Sequence, residues 1–107
     1  MIKIKTYNKL VRDKIPEIIE SHGQTCKTEI LDDEMYLRML DVKLNEEIDE
    51  YQDSKSIEEI ADVLEVLMAI TKERGYSWQD VLQTQLKKRA EKGGFDKKNF
   101  LVWAEEK

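Results

Sequence analysis

Five acidic residues in two short clusters are the part of this sequence best suited to chemistry. Glu46, Glu47 and Glu50 lie in Leu44-Asn45-Glu46-Glu47-Ile48-Asp49-Glu50, and Glu59 and Asp62 in Glu59-Ile60-Ala61-Asp62. Each cluster holds a carboxylate pair three residues apart, Glu47/Glu50 and Glu59/Asp62, and that spacing puts both members on one face of a helix. A turn near Gln52 to Lys55 sends the second cluster back alongside the first, with Ser56, three residues before Glu59, as a helix start. Glu50 then faces Glu59 and Glu47 faces Asp62, because the members of each pair are equally far from the middle of the turn. At ~1.5 Å rise per residue the two levels are roughly 4.5 Å apart. Four like charges converging on one gap repel each other unless a cation sits between them, so the pattern predicts a metal site. Carboxylates without His or Cys make a hard, oxygen-only donor set that selects Mg²⁺, with Mn²⁺ as a substitute, over zinc. Mg²⁺ commonly takes only one or two carboxylates, completed by water and phosphate oxygens. Four acids therefore leave two arrangements open: some of them back the ligands, or more than one ion binds. Either suits phosphoryl chemistry, in which a metal neutralises phosphate oxygens and activates water.

The elements that position these acids follow from the pattern around them. Asp13, Pro16 and Glu17 mark a helix start and Gly23 an end, giving a short helix from about Lys14 to about Ser21. His22 falls at its C-terminus, where a cation is favoured, rather than at a position for a general base. Residues 24 to 31 read as a connector with a little β character. Asp32 or Asp33 caps a long helix to about Tyr51, whose apolar stripe is Leu37, Leu40, Leu44, Ile48 and Tyr51. With Leu44 at zero this stripe spans roughly 320° to 40°, and Glu47 falls at about 300°, on the border of the core face. A third helix starts after Ser56 and stops before Gly75. It is apolar on several sides, and with Ile60 at zero Glu59 lies at about 260° and Asp62 at about 200°, both within an apolar flank. An acid in such a flank is costly unless it is paired or bound to a cation. Ser77 opens a fourth helix from about Trp78 to about Lys92, closed by Gly93-Gly94.

The expectation is thus a single all-α domain over 1–107, an antiparallel bundle of about four helices with an arm at 1–12 and a tail at 96–107. A helix apolar on so many sides needs more cover than 107 residues supply, so the bundle is expected to be completed by homo-oligomerisation. Phe100, Leu101, Val102 and Trp103 in the tail are expected to dock on the core or on a partner subunit. The net charge of -5 argues against a nucleic-acid binder, which would carry a basic face, but not against a nucleotide. Cys26 is the only cysteine, which excludes an intramolecular disulfide and suits a reducing compartment. It reads as a small, partly buried side chain rather than a catalytic thiol. No signal peptide and no run long enough to cross a bilayer is visible, so membrane insertion is not expected and the place of work is expected to be the cytoplasm.

The acids also carry a likeness. Glu46-Glu47-x-x-Glu50 followed by Glu59-x-x-Asp62 resembles the EExxE…ExxD signature of the all-α nucleoside triphosphate pyrophosphohydrolases, the MazG-like superfamily, which includes phosphoribosyl-ATP pyrophosphohydrolase and the dimeric dUTPases. Tyr7-Asn8-Lys9-Leu10-Val11-Arg12-Asp13-Lys14-Ile15-Pro16 resembles the opening of small phosphoribosyl-ATP pyrophosphohydrolase-like proteins, and Lys88-Arg89-Ala90-Glu91-Lys92-Gly93-Gly94-Phe95 resembles their closing basic-GGF segment. The likeness runs in consistent order over about residues 7 to 95. It implies hydrolysis between the α and β phosphates of a nucleotide, giving a monophosphate and pyrophosphate, in a dimer or tetramer. Carried onto this chain, it implies Glu47, Glu50, Glu59 and Asp62 as Mg²⁺ ligands, with Glu46 either backing them or helping to position the attacking water. Candidates to hold the phosphates are Lys88, Arg89 and Lys92, with Asn8, Lys9 and Arg12 from the opening motif. Only eight residues separate Glu50 from Glu59, fewer than in many members of the superfamily. The competing expectation is a helical oligomer without enzymatic activity that binds a nucleotide or a protein partner through the same cleft.

Overall fold

A computed structural model describes residues 2–107; Met1, the first residue of the expected arm, lies outside the described residues. The described chain is all-helical and contains no strand: α1 Ile15–Ser21, α2 Asp33–Ser54, α3 Ile57–Glu73 and α4 Trp78–Lys92. Capping explains most of the boundaries. Asp32 accepts from the Met35 amide (2.8 Å), Ser56 from Glu59 (3.4 Å) and Ser77 from Asp80 (3.1 Å), so three of the four helices begin on a side-chain cap. Pro16 sits in the first turn of α1, where its missing N–H is not needed. His22 stands at the end of α1 as expected, its Nδ1–H donating to the Ile18 carbonyl (2.8 Å).

Two boundaries differ from the sequence reading. Helix α2 runs to Ser54 rather than Tyr51, because the reversal is made almost entirely by Lys55, a non-glycine residue held in the left-handed region (φ 57°). Lys55 is steadied there by its amide on the Tyr51 carbonyl, by its ammonium on Gln52 (2.7 Å) and by the Tyr51 ring, 5.2 Å from that ammonium. The connector 24–31 forms no strand, and residues 24–30 are exposed.

Only α2 and α3 pack extensively against each other, and the turn at Lys55 makes them an antiparallel hairpin. Helix α4 touches α3 sparingly and α2 not at all, while α1 packs backbone-close on no other helix. The buried apolar core is correspondingly small: Leu40 from α2 and Val66 from α3. Tail residues Phe100, Leu101, Val102 and Trp103 are exposed and dock on no core of this chain, and Cys26 is exposed rather than partly buried. The radius of gyration, 19.1 Å, is well above the roughly 13 Å of a compact domain of this length. The accessible surface of 10361 Å² likewise exceeds the roughly 6,200 Å² of a compact monomer of this mass. A single chain leaves many of its large apolar side chains exposed.

Candidate metal centre

The hairpin turn does for the acids what their spacing demands. One ligand oxygen from each of Glu47, Glu50, Glu59 and Asp62 falls within a cluster no more than 4.8 Å across. Glu47 and Glu50 project from the last turns of α2, Glu59 and Asp62 from the first turns of α3, so one tight reversal sets all four. Glu47 is the most deeply placed, 7% exposed and the only buried charged side chain among the described residues. Glu59 and Asp62 are half-buried and Glu50 is at the rim. This is the ordering that the helical wheels predict: Glu47 bordering the core, Glu59 and Asp62 in an apolar flank.

The donor set fits a hard divalent cation. Glu47 Oε2 and Glu59 Oε2 are buried and have no hydrogen-bond partner. An unpaired carboxylate oxygen out of contact with water carries a large desolvation cost that an ion at the centre of the cluster would remove. A Mg²⁺ octahedron spans about 4.2 Å between opposite oxygens, so the 4.8 Å cluster needs only small side-chain rotations to close on an ion.

Three cations already surround the acids. Lys43, one turn before Glu47, bridges Glu46 and Glu47 (3.2 Å to each). Lys9 donates to Glu46 (3.0 Å) and Arg12 to Asp62 (2.6 Å), both reaching in from the N-terminal arm. Five carboxylates against three cations leave two negative charges, the charge that one divalent ion neutralises. The titrations reflect the same imbalance. Burial pushes the Glu47 carboxyl up, and the adjacent Glu50 adds to the rise against the opposing pull of Lys43. Burial acts in the same direction on Glu46, but the hydrogen bonds and charges of Lys9 and Lys43 outweigh it and hold that carboxyl below its usual range. Lys43 is itself raised: its burial works against the charge, and the bonds to Glu46 and Glu47 prevail. Arg12 is raised first by its bond to Asp62, with further attraction from Asp62, Glu65 and Glu47 overcoming a small burial cost.

The remaining sequence candidates separate into two groups. Lys9 and Arg12 join the site, whereas no hydrogen bond or ion pair links Asn8 to it; Asn8 instead takes a left-handed backbone conformation (φ 47°) that turns the arm. Lys88, Arg89 and Lys92 lie along the end of α4 and border a separate open cavity of about 1020 Å³ with Tyr76, Asp80 and Phe95. Arg89 approaches Asp96 (3.9 Å), and none of the three cations pairs with any of the five acids. Within one chain the structure therefore brings the arm to the acids but not α4. Lys43 is the site member absent from the candidates for phosphate and metal; its signal is its position four residues before Glu47, the spacing of a helical ion pair.

An uncharacterized protein of Mycolicibacterium smegmatis is 49% identical to this chain over 41 residues, covering 38% of this chain and 42% of that protein. The chain thus matches less than half the length of that relative. No protein-family model matches the chain, and no solved structure matches it.

Proposed function

We propose that this protein is a Mg²⁺-dependent nucleotide pyrophosphohydrolase that cleaves between the α and β phosphates of a nucleoside triphosphate, or of a phosphoribosyl-ATP-like substrate, to give a monophosphate and pyrophosphate. The observation that carries the reading is the four-carboxylate cluster on facing helices, with one oxygen each of Glu47 and Glu59 buried and unpartnered. Glu47, Glu50, Glu59 and Asp62 would hold the ion, which when bound supplies charge neutralisation at the phosphates and an acidified water as nucleophile. Glu46 stays ionised and anchors Lys9 and Lys43, which fixes Lys43 against Glu47; this supports a backing role for Glu46 over a direct one with water. Lys9 and Arg12 supply positive charge at the mouth of the site, and the cations of α4 form a second basic surface for phosphate. The likeness of the acid, arm and basic-GGF segments to the MazG-like superfamily supports the same reaction.

The working form in this reading is a homo-oligomer, a dimer or tetramer. Its support is the apolar groove of about 420 Å³ on the hairpin, lined by Ile48, Tyr51, Ile60, Val63, Leu64 and Leu67. On α3, Ile60 lies roughly 100° to 160° around the helix from Glu59 and Asp62, so a second copy can cover this edge without blocking the acids. The same surfaces favour a second reading, a helical oligomer that binds a nucleotide or protein partner without turning it over. Described residues contain no helix long and apolar enough to cross a membrane, and a lone cysteine fits work in the cytoplasm. Neither feature calls for a nucleic-acid or membrane partner.

Release of pyrophosphate from a nucleotide panel in Mg²⁺, lost in Glu59→Gln and Asp62→Asn, is the expected result. No turnover on any nucleotide, with partner binding that survives both substitutions, would establish the second reading instead.

A further inference from the structure

The arm before α1 contains no helix or strand, and among the described residues only two side-chain hydrogen bonds tie it to the hairpin. Both run from an arm cation to an acid. They differ in what they hold. Lys9 bonds Glu46, which lies outside the four-acid cluster, and its ammonium is also drawn over the Tyr7 ring (5.7 Å). Arg12 bonds Asp62, which is inside the cluster, and its side chain is 56% exposed with no other side-chain partner. Lys43 also touches a cluster acid, but it is shared with Glu46 and mostly buried, so it is held in place whatever Glu47 binds.

Entry of a divalent ion would draw the Asp62 carboxylate to itself and leave the Arg12 guanidinium beside a new positive charge. An exposed ion pair of this kind contributes little on its own, so it yields readily. The guanidinium carries five donors in a fork that matches phosphate oxygens two at a time, and it would be released where phosphates would have to sit. The arm would not be lost with it. Lys9 on Glu46 fixes one side, and the Ile15 amide on the Arg12 carbonyl (3.0 Å) ties the other to α1.

We propose that residues 8–12 form a cationic strap that exchanges partners: loading the four-acid site with a divalent cation frees Arg12 from Asp62, and the freed guanidinium then takes phosphate oxygens of the nucleotide held there. The exchange needs only the metal site, while the second half rests on the pyrophosphohydrolase reading. Arg12 is in this account a switchable counter-ion: it competes with the metal before substrate arrives and assists binding afterwards.

The test compares the wild-type chain, Arg12→Gln, Arg12→Lys and the arm control Lys5→Gln by calorimetry, first with MgCl2 alone and then with inorganic tripolyphosphate in saturating Mg²⁺, a probe that is independent of base preference. Arg12→Gln is expected to bind Mg²⁺ alone roughly two- to five-fold more tightly, the scale of one exposed charge pair. It is expected to bind tripolyphosphate about ten-fold more weakly, and Arg12→Lys to recover part of that loss. Lys5→Gln, which removes an arm cation held only over the Tyr7 ring, should leave the affinity for Mg²⁺ alone within about two-fold. Unchanged or weaker Mg²⁺ binding by Arg12→Gln, with a wild type that does bind, overturns the exchange and leaves the metal centre standing. Tighter Mg²⁺ binding with unchanged tripolyphosphate binding removes the phosphate half. A wild type that binds no Mg²⁺ under either condition overturns both this inference and the metal reading beneath it. Helical circular dichroism of each variant separates these outcomes from loss of fold.

Discussion

The hairpin of α2 and α3 and helix α4 all begin on side-chain caps, yet they end in opposite states. In the hairpin, a short turn and two facing apolar stripes bring four carboxylates into a 4.8 Å cluster and bury Glu47. In α4, the cations Lys88, Arg89 and Lys92 lie along the exposed end of a helix that packs only sparingly on α3. The difference lies in the apolar surface. Helix α3 has enough for more than one neighbour, and α4, with Leu82 and Leu86 exposed, has too little to fold back on α3 unaided. Burial creates the concentrated negative field, whereas the positive surface of α4 lies apart from it. The acids are brought together by one chain; in the proposed function the phosphate-binding side is completed by the arm and by further copies.

The comparison can be broken most severely at the acids. Glu59→Gln and Asp62→Asn each remove a ligand and are expected to lower turnover by at least about a hundred-fold, with little change in helical content, as read by pyrophosphate release and circular dichroism. The exposed apolar edge comes next. Ile60→Glu combined with Leu64→Glu should shift the protein to a monomer in sedimentation, with a loss of roughly 2–4 kcal/mol in apparent stability from uncovering two aliphatic contacts per copy. Chains that already sediment as monomers at micromolar concentration would remove the oligomeric half of the account. Alanine at Lys88, Arg89 and Lys92 together is expected to weaken tripolyphosphate binding about ten-fold while leaving Mg²⁺ binding in place, which separates the basic region from the acidic one.

Glu47 gives a smaller effect of unusual sign. Its carboxyl is raised above the unfolded value, so the folded state binds the proton more tightly, and ionisation costs stability as pH rises through the folded pKa. Glu47→Gln should therefore leave metal-free protein at neutral pH no less stable, and more stable by up to about 1 kcal/mol, while removing the stabilisation that Mg²⁺ gives the wild type. Glu46 behaves oppositely. Its lowered carboxyl contributes stability above the unfolded pKa, and that contribution disappears as pH falls through the folded value. The smallest effect is at the turn. Lys55→Gly relieves a left-handed non-glycine residue and is expected to raise stability by roughly 0.5–1 kcal/mol, because the steric relief of about 1–2 kcal/mol exceeds the added chain entropy.

How much of this was legible in the sequence follows from the range of the interactions. The hairpin and its acids were legible because every contributing signal is local: i, i+3 spacing, a Ser cap, and stripes that locate Glu47 beside Leu40 and Leu44. Helix ends were legible to within a few residues, and the end of α2 was missed because Lys55, with no glycine or proline to announce it, makes the reversal. Lys43 stands four residues before Glu47, but spacing shows who is near and not that Glu46 and Glu47 share one ammonium. The bond from Arg12 to Asp62 joins residues 50 apart in the chain, and no periodic pattern reports it. The position of α4 was the least legible, because a helix with a thin apolar face has its place set by whatever completes the core.

Resolving the products of a nucleotide panel incubated with this chain tests whether the four-acid cluster carries out metal-dependent cleavage. A nucleoside monophosphate and pyrophosphate are expected in Mg²⁺, and neither product in a chelator or with Glu59→Gln. A folded protein that yields no pyrophosphate from any nucleotide in Mg²⁺ or Mn²⁺, or that yields it undiminished with Glu59→Gln, would contradict that role.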